Sequence, residues 1–385
     1  MCFNGFVSNE NTILPPGEFV RQELESRGWT QADLAKIIER PLPTVNEIIQ
    51  GKRAIMPEMA ISLAAVFGNS PELWMQRESS YRLSLVGKAD PELQRRARVF
   101  EIAPVKDMEK RGWIRPTRTI DELEDELRGF FKCDSLDELP ATNAVARASS
   151  SADEFTAPQR TWLAQATRLA SILNTRNFNP ETFKATGLKQ IRALTETPDQ
   201  TSKLPKLLAE LGIRFVVIES LPKSLIDGAA FWLDENSPVI AVSLRYDRID
   251  WFWFTLAHEL QHIKHGDKRS IDINLLGENR TSALNEIEDR ANREAAMFLI
   301  PPSSLESFVI RSKPFFQKQM IIQFAKRMAV HPGIVNGQLQ HLHEIGWEHN
   351  REMLVKVRDF VTATALTDGW GKTTGQFLTT STRNN

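Results

Sequence analysis

Residues 251–262 read Trp-Phe-Trp-Phe-Thr-Leu-Ala-His-Glu-Leu-Gln-His. The apolar first half of this run predicts a helix that is buried on almost every side. His258 and His262 are four residues apart and share one helical face, so both imidazoles can reach one metal ion. Glu259 lies between them, where its carboxylate can reach water beside the metal. Buried histidines are costly without a partner, so we expect a zinc site rather than two core histidines bonded to backbone carbonyls.

A catalytic zinc site needs a third protein ligand and one open position. The periodicity of residues 286–300 predicts a second amphipathic helix. At about 100° per residue, Glu288 falls almost in line with Leu299 of the apolar stripe, so its carboxylate points inward. Glu288 is therefore the predicted third ligand, with Asp289 as the alternative. His265 is a weaker candidate, because it lies at the end of the same helix as the first two ligands.

Three segments of this region together resemble a known family. Phe254-Thr-Leu-Ala-His-Glu-Leu-Gln-His262, Glu288-x-x-Ala-Asn292 and Leu299-Ile-Pro301 are similar to the ImmA/IrrE zinc metallopeptidases, which resemble the wider gluzincin group. The resemblance covers roughly residues 204–302. One departure is Gln261, which stands where a glycine is common in the family, at an unspecified position of the motif.

The resemblance also implies roles for individual residues. His258, His262 and Glu288 would bind Zn²⁺, and Glu259 would act as the general base. Asn292 would orient a ligand histidine from outside the ligand set. The resemblance assigns no residue to the stabilisation of the oxyanion.

Residues before the motif predict a small β-sheet. The segments Ile213–Glu219, Gly228–Asp234 and Val239–Ser243 are rich in β-branched and aromatic residues and are separated by turn residues. Peptidases of this kind often bind an extended substrate at a sheet edge. The pattern does not indicate which strand forms the edge.

The N-terminal residues carry a second motif. Gly28 is expected to end one helix and Thr30 to cap the next. Thr30-Gln-Ala-Asp-Leu-Ala35, a short helix at residues 43–50 and Gly51-Lys-Arg53 resemble the helix-turn-helix of Xre/Cro-like repressors. With the residues that follow, to about Leu83, the segment is most similar to HigA-type antitoxins and implies a five-helix domain.

In such a domain the second helix of the motif enters the major groove. Thr44 and Asn46 would reach base edges, while Gln31, Lys52 and Arg53 would contact phosphates.

The charge of this region bears on how it would bind DNA. Residues 15–53 contain six Lys/Arg and six Asp/Glu, so non-specific attraction to phosphates is weak. Binding of operator DNA is therefore expected to need a homodimer. The alternative is a five-helix bundle that has lost DNA binding and contacts proteins.

Whole-chain features fit a cytoplasmic protein. The 385 residues carry a formal net charge of −1, and no apolar run approaches the length of a membrane span. Two cysteines suit a reducing compartment, and the first residues lack a signal peptide. We expect a protein that binds no membrane.

The predicted fold is mainly α with an α+β part. It comprises a helix-turn-helix domain at residues 14–84, a helical connector at 85–195, a gluzincin-like zinc-peptidase domain with a small β-sheet at 196–305, C-terminal helices at 306–364 and a disordered tail at 365–385.

These features favour a DNA-binding, antitoxin-like transcription regulator that carries a zinc-dependent endopeptidase. Its substrate would be a protein partner, either a repressor or a toxin–antitoxin component. One alternative is a non-catalytic regulator whose peptidase-like domain is a sensor or a toxin-binding module. Another is a peptidase whose helix-turn-helix only recruits a repressor. The intact set of His258, Glu259, His262 and Glu288 argues against a vestigial site.

Overall fold

The computed structural model describes residues 14–86, 90–138, 155–267, 270–273 and 282–370. The chain divides into two compact units between residues 93 and 94, inside the helix Pro91–Ile102. Each unit is described by itself. Among these residues, no helix is both long enough and apolar enough to cross a membrane.

The described part of the N-terminal unit contains five helices, as the sequence predicted. They are α1 Pro16–Arg27, α2 Gln31–Ile37, α3 Leu42–Ile49, α4 Pro57–Phe67 and α5 Pro71–Val86. Their core is built from apolar side chains such as Val20, Leu34, Ile48, Leu63 and Trp74.

Local signals explain the first helix boundaries. Gly28 adopts the left-handed conformation, with φ 67°, and its N–H bonds to carbonyls of the last turn of α1. Thr30 and Asp33 form a capping box that begins α2. Gly17 lets α1 cross α3 closely, because a Cβ there would lie 2.3 Å from the carbonyl oxygen of Ile48.

A five-stranded mixed sheet organises the second unit. Its strands are β1 Arg214–Val217, β2 Ile226–Trp232, β3 Pro238–Val242, β4 Ser270–Ile273 and β5 Leu366–Thr367, in the order β4-β2-β3-β1-β5. β1 runs parallel to β3 and β5, whereas β2 runs antiparallel to β3 and β4. The three strands predicted from the sequence correspond to β1, β2 and β3.

Helices cover both faces of this sheet. On one face lie α6 Pro91–Ile102, α7 Val105–Lys110, α8 Ile120–Phe131 and α9 Ala157–Ser171. On the other lies α13 Ile249–His265. Alternate residues enter the two cores: Phe215 and Val217 pack with α13, and Val216 packs with the α9 side. These helices of the predicted connector share a core with the sheet.

The remaining helices lie around α13 in chain order. They are α10 Pro180–Thr182, α11 Leu188–Arg192, α12 Leu204–Glu210, α14 Ser282–Leu299, α15 Pro302–Ser312, α16 Lys318–Met328, α17 Pro332–His341 and α18 Arg358–Thr362. The predicted fold class, mainly α with a small sheet, is confirmed.

Arg192 joins two of these helices at their C-terminal ends. Its guanidinium donates hydrogen bonds to Phe298 O, Leu299 O, Met328 O, Ala329 O and Thr195 Oγ1, at 2.7–2.9 Å. All five N–H donors of the side chain are thereby used. One cation therefore satisfies the backbone carbonyls at the C-terminal ends of α14 and α16, which have no partner within their own helices.

The predicted disordered tail was wrong at its beginning. Leu366 and Thr367 form β5, and Asp368 N bonds to Val217 O at 3.2 Å. A two-residue strand is too short to show the alternating pattern that predicts strands. Residues 371–385 of that tail lie outside the described residues.

Candidate functional site

The structure brings three of the predicted site residues to one point. His258 and His262, 1% and 0% exposed, lie on adjacent turns of α13, and their Nε2 atoms are 2.9 Å apart. Glu288 comes from α14, with its Oε2 3.2 Å from His258 Nε2 and its Oε1 3.9 Å from His262 Nε2. One ligand atom from each residue lies within 4.8 Å of the others, which is the spacing of a metal site.

The far ring nitrogens of both histidines are held by hydrogen bonds. His258 Nδ1 lies 2.9 Å from Asn292 Oδ1, and His262 Nδ1 lies 3.1 Å from Asp267 Oδ2. An oxygen acceptor at each Nδ1 favours the tautomer in which Nδ1 carries the proton. Both Nε2 lone pairs then face each other, an arrangement that a shared cation relieves. This donor set therefore fits zinc.

The protonation state of His262 also fits a zinc site. Burial lowers the pKa of His262 and outweighs the hydrogen bond from the ring to Asp267, which raises it. The imidazole is therefore neutral near pH 7. A neutral imidazole is the form that binds metal ions.

Asp267 was missed by the sequence analysis. It follows Gly266, whose left-handed conformation ends α13, so the carboxylate folds back toward His262. Its Oδ2 also accepts a hydrogen bond from Arg290 on α14. Burial alone would raise the pKa of Asp267, but the hydrogen bonds from His262 and Arg290 lower it overall. A Gly-Asp pair directly after the motif helix is the signal that could have identified it.

Glu259 is fully buried beside the sheet. A Cβ at Gly228 of β2 would lie 2.8 Å from Glu259 Oε1 and 2.7 Å from Thr255 Cγ2. Glycine is therefore required in this strand for the glutamate side chain to occupy its position. The sequence analysis placed Gly228 in a strand without recognising this contact.

The two alternative ligands point elsewhere. His265 Nε2 lies 2.8 Å from Glu294 Oε2, and Asp289 is exposed on α14. Neither belongs to the cluster of His258, His262 and Glu288.

The predicted DNA-contacting residues occupy the N-terminal unit and keep partly or fully exposed side chains. Thr44 and Asn46 lie near the start of α3 and flank its buried Val45. Gln31 begins α2, and Lys52 and Arg53 follow α3.

One contact in this region was not predicted. Arg53 Nη1 lies 2.9 Å from Glu47 Oε2, and both side chains are about half exposed. The Arg53 charge is therefore partly neutralised within the domain.

Two family models match the chain. One, described as helix-turn-helix, matches residues 20–74, and the other, described as the IrrE N-terminal-like domain of a peptidase family, matches residues 209–335. The second range contains His258, His262 and Glu288.

Individual relatives match only a short part of the chain. An uncharacterized HTH-type transcriptional regulator, YddM of Escherichia coli (strain K12), is 30% identical over 69 residues, which are 18% of this chain and 73% of the relative. Virulence-associated protein A' of Dichelobacter nodosus is 36% identical over 74 residues, 19% of this chain and 64% of the relative. The Pseudomonas aeruginosa antitoxin HigA, solved with the higBA promoter, is 36% identical over 19% of this chain and 82% of that chain, with a TM-score of 0.19.

Proposed function

Because the chain belongs to the helix-turn-helix family through its N-terminal domain and contains an IrrE N-terminal-like domain, we propose that it is a transcription regulator carrying a zinc-dependent endopeptidase. The observation that carries the enzymatic half is the convergence of His258, His262 and Glu288 at one point. Its helix-turn-helix half binds operator DNA, and its peptidase half cleaves a protein partner.

His258, His262 and Glu288 hold the zinc ion in this proposal. When bound, zinc supplies a Lewis acid that polarises the scissile carbonyl and makes water nucleophilic near neutral pH. Glu259 takes a proton from the attacking water and delivers it to the leaving amine. Asn292 and Asp267 fix the two imidazole rings, so that both Nε2 atoms stay directed at the same point.

The sheet offers a place for an extended substrate. β4 is an outer strand of the sheet and pairs with β2 on one side. An outer strand presents backbone donors and acceptors that a peptide segment in extended conformation can use. We place the cleaved segment of the partner protein along β4, next to α13.

The DNA-binding half uses α3. Thr44 and Asn46 contact base edges from the start of this helix, while Gln31, Lys52 and Arg53 contact phosphates. The local charge is balanced, and Arg53 is already paired with Glu47. One unit therefore gains little from counterion release, so the protein acts on a two-fold operator as a homodimer. The antitoxin-like role, in which the partner is a toxin or a repressor, belongs to the same proposal.

Metal analysis tests the enzymatic half. Elemental analysis of the purified chain is expected to find about one zinc per chain, and His262→Ala should lose most of it. His349→Ala is the matched control, because this histidine is exposed and lies outside the cluster. Equal zinc content in all three proteins would rule out the proposed ligands.

A further inference from the structure

A groove lies between α15 and α16, outside the proposed metal centre and the helix-turn-helix. Its volume is about 560 Å³, within the range of small-molecule sites. It is lined by Phe308, Arg311, Ser312, Met320, Gln323, Lys326 and Arg327. The lining contains three cations and no carboxylate.

The positive charge of these three residues is not neutralised within the described fold: Arg311 Nη1 donates a hydrogen bond to the neutral Ser307 Oγ at 2.6 Å, and the Arg327 guanidinium lies 5.6 Å from the centroid of the Phe324 ring. Arg311, Lys326 and Arg327 are exposed, and none of them forms an ion pair with a carboxylate of the described residues. By contrast, Lys318 on the same helix as two of them is paired with Glu352 at 2.9 Å. The groove therefore concentrates positive charge that the described fold leaves unbalanced.

The wall of the groove carries a buried polar group. Ser312 is 3% exposed, and its Oγ has no hydrogen-bond partner among the residues that the structure describes. Such a hydroxyl is normally satisfied in a folded protein. Half-buried Met320 supplies apolar surface beside it, together with the small exposed part of Phe308, which is 3% exposed. The site thus combines positive charge, one hydroxyl and an apolar wall.

A simpler explanation accounts for part of this arrangement. Basic residues in the last turn of a helix complement the helix dipole, and all three cations lie near helix C-termini. That effect explains their position along α15 and α16. It does not explain why all three line one groove, or why Ser312 is buried there without a partner.

We propose that this groove binds a small molecule that carries two or more phosphate charges and a flat apolar group, as a nucleoside diphosphate does. Two guanidinium groups match phosphate oxygens in paired hydrogen bonds, and three positive charges balance a diphosphate. The apolar group lies mainly against Met320, beside the small exposed part of Phe308. Carboxylates would use the guanidiniums as well, but one carboxylate leaves two of the cations unbalanced.

Calorimetric titration of the full chain with ADP and with inorganic pyrophosphate tests the proposal. ADP is expected to bind saturably and more tightly than pyrophosphate, because only ADP uses the apolar wall. Lys326→Ala/Arg327→Ala should weaken ADP binding about tenfold or more. Lys318→Ala, the matched control on the same helix, should leave it unchanged.

A second variant separates binding from folding. Ser312→Ala removes no hydrogen bond seen among the described residues, so it should keep the thermal midpoint while weakening ADP binding several-fold. The proposal is overturned if ADP shows no saturable binding at millimolar concentration, or if the double variant binds ADP as the wild type does. Binding of a glutamate-rich peptide in place of ADP would overturn it as well.

Discussion

The proposed metal centre and the helix-turn-helix surface differ in how far the chain itself determines their geometry. At the metal centre the two histidines are almost fully buried, and each is held by a side-chain oxygen. On the helix-turn-helix surface the predicted contact residues are partly or fully exposed, and Arg53 is engaged with Glu47. Metal binding needs only an ion added to a nearly complete arrangement. DNA binding, by contrast, needs a second macromolecule to order the exposed side chains.

The largest expected effect lies at the metal centre. Glu259→Gln keeps the size of the side chain but removes the proposed base, so cleavage of a protein partner should fall by about 10²–10⁴-fold while zinc stays bound. A cleavage assay with co-expressed partners and a zinc assay measure the two effects. Glu286→Gln, an exposed glutamate on α14, is the control and should be fully active. Equal turnover in the Glu259→Gln protein would place the base elsewhere.

The next test asks whether the hydrogen bond to His262 Nδ1 strengthens zinc binding. Asp267→Ala removes the acceptor for His262 Nδ1 and should weaken zinc binding about 10–100-fold. Competition with a chelator measures this change. Asp289→Ala should have no effect, since that carboxylate is exposed and outside the cluster. Loss of zinc in the Asp289→Ala protein alone would instead support Asp289, the alternative third ligand.

The helix-turn-helix surface gives the contrasting test, because its predicted contact residues are exposed. Asn46→Ala should weaken binding to the upstream promoter by about 1–3 kcal/mol, because an amide that reads a base edge is lost. Arg53→Ala should weaken it less, since breaking the pair with Glu47 offsets part of the phosphate contact. Gel shifts at several salt concentrations are the measurement, with Gln76→Ala on α5 as the control. Equal binding by all these proteins would favour the protein-contact alternative.

A comparison of two glycines tests the support behind Glu259. Gly228→Ala should lower the free energy of unfolding by about 1–3 kcal/mol, because its Cβ would overlap Thr255 and Glu259. Gly129→Ala in α8 is the control: no heavy atom lies within 4 Å of its Cβ position, and helical alanine is favoured. Urea denaturation measures both. A loss of stability at both glycines would point to a general effect of the substitution and not to this contact.

The smallest expected effect concerns the cap of α2. Two hydrogen bonds from Thr30 lower the pKa of Asp33 below its ordinary value. The larger effect comes from the backbone N–H of Thr30 and the smaller from its hydroxyl. A carboxyl with a lowered pKa in the folded state adds stability above its ordinary pKa and loses it as the pH falls through the lowered value. Asp33→Ala should therefore be less stable than the wild type near neutral pH, and the difference should shrink in acid. A difference that stays constant with pH would contradict this role.

Helical periodicity in the sequence was enough to place several parts of the fold and site. It placed His258 and His262 on one face of a helix and turned Glu288 inward, and the structure brings these side chains together. Their role as ligands stays a prediction. Gly28 and Thr30 predicted helix boundaries because glycine at a C-terminus and threonine at an N-terminus act through local hydrogen bonds.

Helical periodicity could not predict which residues from different elements come into contact. Asp267 reaches His262 only because α13 ends at Gly266, and Gly228 matters only because β2 passes beside Glu259. The strands β4 and β5 are too short to show a clear alternating pattern. The sequence of the predicted connector helices did not indicate which face of the sheet they would cover.

Arg192 makes α14, the helix that carries Glu288, depend on the distant helix α16. If the end of α14 frays, the guanidinium loses bonds to two carbonyls and remains attached to α16 by the others. Opening either end therefore removes hydrogen bonds from a half-buried cation, so the two ends should open as one cooperative unit in native-state hydrogen exchange. Amides in the last turns of α14 and α16 should then exchange at similar rates. A ligand that orders α16 would slow exchange at the end of the helix that carries Glu288.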